Sequence, residues 1–203
     1  MDLVYFGGGT PTSLTAAQLE QVLTAVQENF DLSHLREYCV EAGRPDTITS
    51  EKLETLRRFG VDRISVNPQT MQDHVLETIG RKHTTAQTVE AFHMARAAGF
   101  ENINMDLIAG LPDDTPEGFH DTLEQILALD PDSITVHALT LKRAANLFAE
   151  GEQQVHNPVE PNGCKESMRR LPEHGYAPYY MYRQKNTIDN QENVGYARAG
   201  KES

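Results

Sequence analysis

Leu3-Val4-Tyr5-Phe6-Gly7-Gly8-Gly9-Thr10-Pro11-Thr12 joins an apolar run to a triple-glycine turn. This order is typical of a β-strand that ends in a turn and leads into a helix. Because glycine has no Cβ, the backbone N–H groups of such a turn can lie directly against a ligand. The stretch therefore predicts the first βα unit of a ligand-binding domain, with a plain tight turn as the alternative.

Four further short apolar runs follow at the spacing of repeated βα units, at residues 37–41, 63–66, 103–108 and 133–139. The intervening segments have the pattern of helices, at residues 16–30, 51–59, 85–98 and 116–129. Thr15 is a typical N-cap for the first of these helices, and either Thr49 or Ser50 is one for the second. Pro116 suits the first turn of the helix that runs to residue 129. Right-handed βα repeats build a parallel sheet, either an open doubly wound sheet or a barrel. Periodicity leaves both open.

The regular pattern ends after Arg143. Residues 146–163 are polar and contain two prolines, which predicts an irregular connection. A helix is predicted at residues 164–171, a strand in the aromatic run at 176–182, and a frayed tail from Gln191. The sequence thus predicts a βα domain at residues 1–143 and a C-terminal extension at 144–203.

Composition excludes several classes of function. The 203 residues carry a net charge of −12, which argues against nonspecific binding to nucleic acid or membrane surfaces. No run approaches the roughly 20 apolar residues that a membrane span needs, and no signal segment opens the chain, so we expect a cytosolic protein. Cys39 and Cys164 have no partner at short ligand spacing, which predicts neither a disulfide framework nor a metal motif. Cys39 is interpreted as a core residue.

Ligands of parallel βα folds bind at the carboxyl ends of the strands. Polar or glycine residues stand at all five predicted ends: Gly7-Gly8-Gly9, Glu41, Asn67-Pro68-Gln69, Asp106 with Gly110-Leu111-Pro112, and His137 leading to Lys142-Arg143. A carboxylate such as Asp106 within an apolar strand is costly without a partner, which favours a functional role. We therefore expect a ligand site at this end of the sheet.

Other interpretations remain for single residues. Glu41 is equally compatible with a solvent-facing carboxylate, Gln69 with a helix cap, and Arg81 with a solvated charge. A Rossmann dinucleotide site is a further alternative, but Thr12 stands where G-x-G-x-x-G has its third glycine, and Pro11 intervenes.

Taken together, the motifs resemble those of the radical S-adenosylmethionine (SAM) enzymes. Within them the chain is similar to the oxygen-independent coproporphyrinogen III oxidase (dehydrogenase) family, and most to its Z-type branch. The matching stretches are residues 4–12, 63–71, 79–84, 104–112 and 179–186. Each motif alone is weak, but five in the same order are specific, and the likeness covers nearly the whole chain.

The resemblance implies a partial, six-stranded (β/α) barrel that here lacks its first strand and cluster loop. It also assigns the residues that would contact SAM. The glycine turn and Thr10 would bind the amino group of the methionine moiety, and Glu41 and Arg81 its charged end. Gln69 and Asp106 would contact the ribose. The adenine would lie against Ala109, Gly110 and Leu111.

Enzymes of this family cleave SAM at a [4Fe–4S] cluster, and the resulting radical initiates the loss of CO₂ from two propionates of coproporphyrinogen III, giving protoporphyrinogen IX. They hold the cluster with a Cys-x-x-x-Cys-x-x-Cys motif upstream of the glycine turn. This chain contains no such motif. We therefore expect residue 1 to lie inside a longer protein, and the chain alone to be inactive in SAM cleavage. An electron donor for the cluster and a monomeric state are further expectations.

The substrate has four carboxylates, so we interpret four basic residues as its candidate partners. They are Lys142, Arg143, Arg183 and Lys185, with solvated surface cations as the alternative. Tyr179, Tyr180 and Tyr182 are interpreted as core residues, with lining of the substrate site as the alternative. A haem chaperone that binds haem without decarboxylating a substrate is the competing function, and a stand-alone nucleotide-binding module is a third.

Overall fold

A computed structural model describes residues 1–139, 162–183 and 192–203. Its strands are β1 (Leu3–Phe6), β2 (Glu37–Gly43), β3 (Arg63–Gln69), β4 (Ile103–Ala109), β5 (Ser133–Ala138), β6 (Ala177–Arg183) and β7 (Glu192–Ala197). Its helices are α1 (Ala16–Asn29), α2 (Ser50–Arg58), α3 (Asp73–Thr78), α4 (Thr85–Ala97), α5 (Pro116–Leu129) and α6 (Asn162–Glu173). Two 3-10 turns occupy Pro11–Ser13 and Pro45–Thr47. The class is α/β, as the sequence predicts.

The seven strands form one sheet in the order β1-β2-β3-β4-β5-β7-β6. β1 pairs with β2, and β2 with β3, in parallel, so these strands end on the same side. β7 lies between β5 and β6 and is antiparallel to both. All five strands predicted for the βα region are confirmed, and so is the aromatic strand β6.

The predicted caps of α1 and α2 are confirmed, and α5 has a cap that was not predicted. Thr15 and Gln18 form a capping box at the start of α1, in which each side chain bonds the other's backbone. The Thr49 side chain accepts a hydrogen bond from the Lys52 amide, and Thr115 accepts one from Gly118 at the start of α5. These caps satisfy N–H groups that have no partner inside the helix.

Two elements differ from the sequence prediction. The tail from Gln191 is not frayed, because residues 192–197 form β7, in which Val194 and Tyr196 are buried. The alternation there is only six residues long and contains Gly195, which weakens the strand signal. The short helix α3 was also missed, since six residues are too few for a clear apolar period.

The chain divides into two compact units. The first comprises residues 1–67, 86–104 and 203, and the second comprises 68–85 and 105–202. The core of the first is built from α1, α2 and β2, and includes Leu19, Leu53 and Val40 at 0% exposure. The boundary predicted at residues 143 and 144 lies outside the described residues.

Two exposure predictions for aromatic and sulfur side chains have different outcomes. Cys39 is buried in β2, which confirms it as a core residue. Tyr180 and Tyr182 are about half exposed on β6, so their assignment to the core is wrong. Tyr179 lies over Gly195, where a Cβ would come within 3.1 Å of its ring.

In the described part of the chain, no helix combines the length and the apolar character that crossing a membrane requires.

Candidate functional site

The glycine turn leaves β1 next to a carboxylate. A Cβ built on Gly7 would lie 2.8 Å from Glu41 Oε2, and closer still to the Tyr5 ring. No side chain larger than hydrogen therefore fits at Gly7 without displacing Glu41 or Tyr5. Gly8 has a φ of 104°, a backbone conformation that favours glycine. The turn thus brings bare backbone and one carboxylate together.

A bulge in β2 presents Glu41 at this position. Val40 pairs with Ile64 and Gly43 with Val66, so that two residues of β2, Glu41 and Ala42, stand opposite Ser65 of β3. Such bulges change the direction in which a side chain points. Gly43 completes the irregularity with a φ of 71°.

Two neighbouring side chains contact the Glu41 carboxylate. The Tyr5 hydroxyl donates to Oε2 at 3.3 Å, and Asn67 Nδ2 donates to Oε1 at 3.4 Å. Both distances are long for hydrogen bonds, so these contacts orient the carboxylate rather than neutralise it. Sequence reasoning placed Asn67 among the polar strand ends but gave it no role, and it did not identify Tyr5. Tyr5 stands two residues before Gly7, on the same face of the strand, and this spacing was the available signal.

In the second unit, Gln69 ends β3 in a strained conformation. Its φ is 70° although it is not glycine, and its side chain is 7% exposed. Such conformations cluster at functional sites, because surrounding structure must hold them in place. The helix cap position of α3 belongs to Gln72 and not to Gln69, so the structure does not support the capping interpretation.

Arg81 follows α3 through a glycine. Gly80 has a φ of 70°, and the Arg81 amide donates to the Leu76 carbonyl at 2.9 Å, which ends the helix. Two residues later, buried His83 contacts the Pro68 carbonyl through Nε2 at 3.1 Å. This contact ties the segment that carries Arg81 to the end of β3.

β4 carries the remaining predicted contacts. Asp106 is half-buried between Met105 and Leu107, which are fully buried. After the strand, the Ala109 carbonyl accepts a hydrogen bond from the Leu139 amide at 3.1 Å, and Gly110 adopts a φ of 83°. The backbone of residues 109–111 is thus held by the residue that follows β5.

Small residues allow α6 to lie close behind this segment. A Cβ on Gly163 would come within 2.9 Å of both Ala109 and the Phe119 ring. Leu111 packs in a cluster with Val75, Ile108 and Leu139. The segment predicted to contact adenine is therefore supported from the side of α6 as well as that of α3.

The loop after Leu111 contains a buried carboxyl group that sequence reasoning missed. Asp114 is 4% exposed, and its Oδ2 has no hydrogen-bond partner among the described residues. Burial raises its pKa to about 6, although the Thr115 amide and nearby His74 act to lower it. Gly118 is required beside it, since a Cβ there would lie 2.6 Å from Asp114 Oδ1.

The structure does not describe the side chains of the four basic residues predicted to bind the substrate. Lys142, Arg143 and Lys185 lie outside the described residues. Arg183 is the last residue of β6, and only the backbone of Arg183 is described. Their role remains a prediction.

The described residues do not provide the ligands of an iron–sulfur cluster. Cys39 and Cys164 are buried, and burial raises the pKa of each thiol to about 12. Such thiols stay protonated, whereas a cluster needs thiolates. Nowhere in the described ranges do three His, Cys, Asp or Glu residues group as metal ligands would.

Residues 1–126 match the Radical SAM superfamily. The oxygen-independent coproporphyrinogen-III oxidase-like protein HemZ of Bacillus subtilis is 45% identical over 98% of this chain and 40% of HemZ. The heme chaperone HemW of the same organism is 33% identical over 98% of this chain and 51% of HemW. The chain thus spans about two fifths to half the length of these relatives.

Solved structures agree with this result. Coproporphyrinogen III oxidase HemN of Escherichia coli matches with a TM-score of 0.77 at 27% identity, over 98% of this chain and 44% of HemN. An archaeal Elp3 from Methanocaldococcus infernus matches with a TM-score of 0.63 at 16% identity, over 85% of this chain and 44% of Elp3, a likeness of fold alone. The superfamily match, HemZ and HemN confirm the recognition made from the five motifs. The HemN structure also confirms the predicted fold class, a partial barrel of the radical-SAM type.

Proposed function

The chain belongs to the radical SAM superfamily, and we propose that its first unit binds the methionine end of SAM. The observation that carries this proposal is the contact geometry of Gly7, which leaves room for hydrogen alone next to the Glu41 carboxylate. A cationic amino group over Gly8 and Gly9, where an added Cβ would meet no atom within 4 Å, would lie against open backbone on the side of the turn that faces this carboxylate. Tyr5 and Asn67 hold the carboxylate in orientation.

We further propose SAM contacts for the other residues that the resemblance assigns. Gln69 and Asp106 would bind the ribose, Arg81 the methionine carboxylate, and the backbone of residues 109–111 the adenine. The strained φ of Gln69 and the fixed backbone after β4 support this assignment. The ring of adenine needs a flat apolar surface and backbone hydrogen bonds, and a segment with glycine at position 110 can offer both.

SAM fits the residues present, but the cluster does not. In a cluster-bearing protein, transfer of one electron to bound SAM would break a sulfonium C–S bond, release methionine and supply a carbon radical able to abstract hydrogen. This chain contributes the groups that bind and orient SAM, and thiolates from outside these 203 residues must hold the cluster. We therefore propose that the chain alone does not cleave SAM.

The substrate that we propose is coproporphyrinogen III, oxidatively decarboxylated to protoporphyrinogen IX. The support is 45% identity to a protein described as oxygen-independent coproporphyrinogen-III oxidase-like, over nearly the whole of this chain. The second candidate is haem binding without decarboxylation. It is favoured by 33% identity to a heme chaperone over the same share of the chain.

One experiment separates these functions. The chain is joined behind the Cys-x-x-x-Cys-x-x-Cys segment of a relative, the cluster is reconstituted without oxygen, and the protein is incubated with SAM, a reductant and coproporphyrinogen III. We expect 5′-deoxyadenosine and loss of CO₂. Haem binding with neither product would favour the chaperone. Failure to bind SAM at all would contradict both proposals.

We predict that reversing two charges weakens substrate binding. In the same joined protein, Lys142→Glu together with Arg143→Glu is expected to raise the KM for coproporphyrinogen III about tenfold or more, because each lost ion pair to a propionate is replaced by repulsion. SAM affinity should stay unchanged. Steady-state kinetics and SAM titration measure the two effects. An unaltered KM would show that these residues are solvated surface cations.

A further inference from the structure

Lys52 stands apart from the predicted site residues but contacts the segment that follows the glycine turn. It lies in the first turns of α2, half-buried, and its ammonium group donates to two backbone carbonyls. The Thr12 carbonyl accepts at 2.6 Å and the Thr47 carbonyl at 2.9 Å. Thr12 lies in the 3-10 turn Pro11–Ser13, and Thr47 ends the 3-10 turn Pro45–Thr47. One side chain thus connects both turns.

Two threonine hydroxyls connect the same turns. The Thr12 hydroxyl, at 0% exposure, donates to the Ala42 carbonyl and lies 2.7 Å from the Thr47 hydroxyl. The Thr47 hydroxyl donates to the Arg44 carbonyl at 2.8 Å. Each hydroxyl has a single proton, so two protons serve these three contacts and the Thr12–Thr47 contact shares a proton with one of the carbonyls. The Thr12 and Thr47 carbonyls accept hydrogen bonds from Lys52 in addition.

These contacts link the two parts of the proposed methionine site. The glycine turn ends at Thr10, whose side chain lies 3.2 Å from the position of a Cβ on Gly43. Ala42 and Gly43 follow Glu41 directly in the β2 bulge. Whatever fixes Thr12 against Ala42 therefore also fixes the glycine turn against the strand end that carries Glu41.

We propose that Lys52 is a positioning residue, which sets the conformation of the glycine turn relative to Glu41 through the Thr12 and Thr47 carbonyls. It does not touch the ligand itself. The identity of that ligand as SAM rests on the proposed function, but the role of Lys52 in holding the turn does not. A charged donor bonded to two carbonyls in a half-buried place is stronger than a neutral one, which suits a holding role.

The test compares three variants. Lys52→Met keeps the aliphatic stem and removes the donors, and Lys52→Arg restores several donors. Lys165→Met makes the same change at an exposed lysine of α6 and is the matched control. Amide hydrogen exchange is measured in the chain at Ser13, Leu14, Thr47 and Ile48, whose amides close the two turns. SAM affinity is measured by titration calorimetry in the cluster-bearing joined protein.

For Lys52→Met we expect at least tenfold faster exchange at both turns and about tenfold weaker SAM binding, with recovery of most of both in Lys52→Arg and no change in Lys165→Met. Wild-type exchange rates in Lys52→Met would overturn the proposal. Faster exchange with unchanged SAM affinity would also overturn the proposal, because Lys52 would then be merely structural.

If Lys52→Met does not fold, Lys52→Arg decides. Near wild-type exchange rates and SAM affinity in Lys52→Arg support the proposal, and wild-type exchange rates with lost SAM affinity overturn it. Absence of SAM binding in the wild type contradicts the proposed function, and exchange alone then decides the role of Lys52.

Discussion

Replacing Gly7 by alanine is expected to weaken SAM binding 10- to 100-fold while leaving the fold intact. The new methyl group would lie 2.8 Å from Glu41 Oε2 and would overlap the Tyr5 ring. Both are the ends of movable side chains, and Tyr5 is 58% exposed, so the fold can yield at small cost. The site cannot, because Glu41 must leave the place where it would meet the amino group. A hydrogen bond to a charged group contributes about 1.5–3 kcal/mol, which corresponds to this loss of affinity.

The measurement is calorimetric titration of SAM into the cluster-bearing joined protein, with thermal unfolding of each variant as the check on folding. Gly9→Ala introduces the same methyl group where no atom lies within 4 Å. We expect a smaller loss of affinity from it than from Gly7→Ala. Equal losses would mean that the contact with Glu41 is irrelevant. No loss in either variant would remove the glycine turn from the proposed site.

The strand framework could be predicted because its signal is local. Each of the five βα strands is a short run of apolar, mostly β-branched or aromatic residues, and a cap or glycine marks the ends of the helices. What periodicity could not decide was the choice between an open doubly wound sheet and a barrel, since both use the same repeat. That choice required the resemblance carried by five ordered motifs, and the fold of HemN then confirmed it.

Two residues of the candidate site could also be predicted from the sequence, because parallel strands place their carboxyl ends at the same edge of the sheet. This reasoning identified Gly7 and Glu41, and the structure brings the two within contact. The residues that hold them were not identified. Lys52 and Thr47 act through backbone carbonyls distant in sequence, and a hydrogen bond to a carbonyl leaves no pattern in the side chains.

The β7 strand shows a third kind of limit. Its six residues pair with β5 and β6, so its stability comes from neighbours on both sides rather than from its own sequence. β-propensity depends strongly on such context. The burial of Asp114 could not be predicted for the same reason. Asp113 and Asp114 are adjacent, and nothing in the sequence of residues 110–114 indicates that Asp113 is exposed and Asp114 is buried. Only packing does so.

Asp114 lowers the stability of the folded chain at neutral pH, and its replacement by asparagine is expected to raise it. Burial raises the folded-state pKa to about 6 from 3.8, so the folded state disfavours the ionised form. The loss of folding free energy is therefore absent below pH 3.8, where both states are protonated. It grows as the pH rises between the two pKa values and is complete above pH 6. A shift of about two pKa units corresponds to about 3 kcal/mol.

The Asp114→Asn substitution removes the charge but introduces an amide with two N–H donors that need partners, which costs part of this gain. For this variant we therefore expect a free energy of unfolding about 2 kcal/mol above that of the wild type at about pH 7.5. That advantage should shrink by about 2 kcal/mol at about pH 4.5, where the wild-type carboxyl is protonated in the folded chain. Denaturant unfolding at the two pH values measures the difference, and Asp121→Asn, on the exposed side of α5, is the matched control. An advantage that does not change with pH would mean that Asp114 is ionised at no cost, through a partner beyond the described residues.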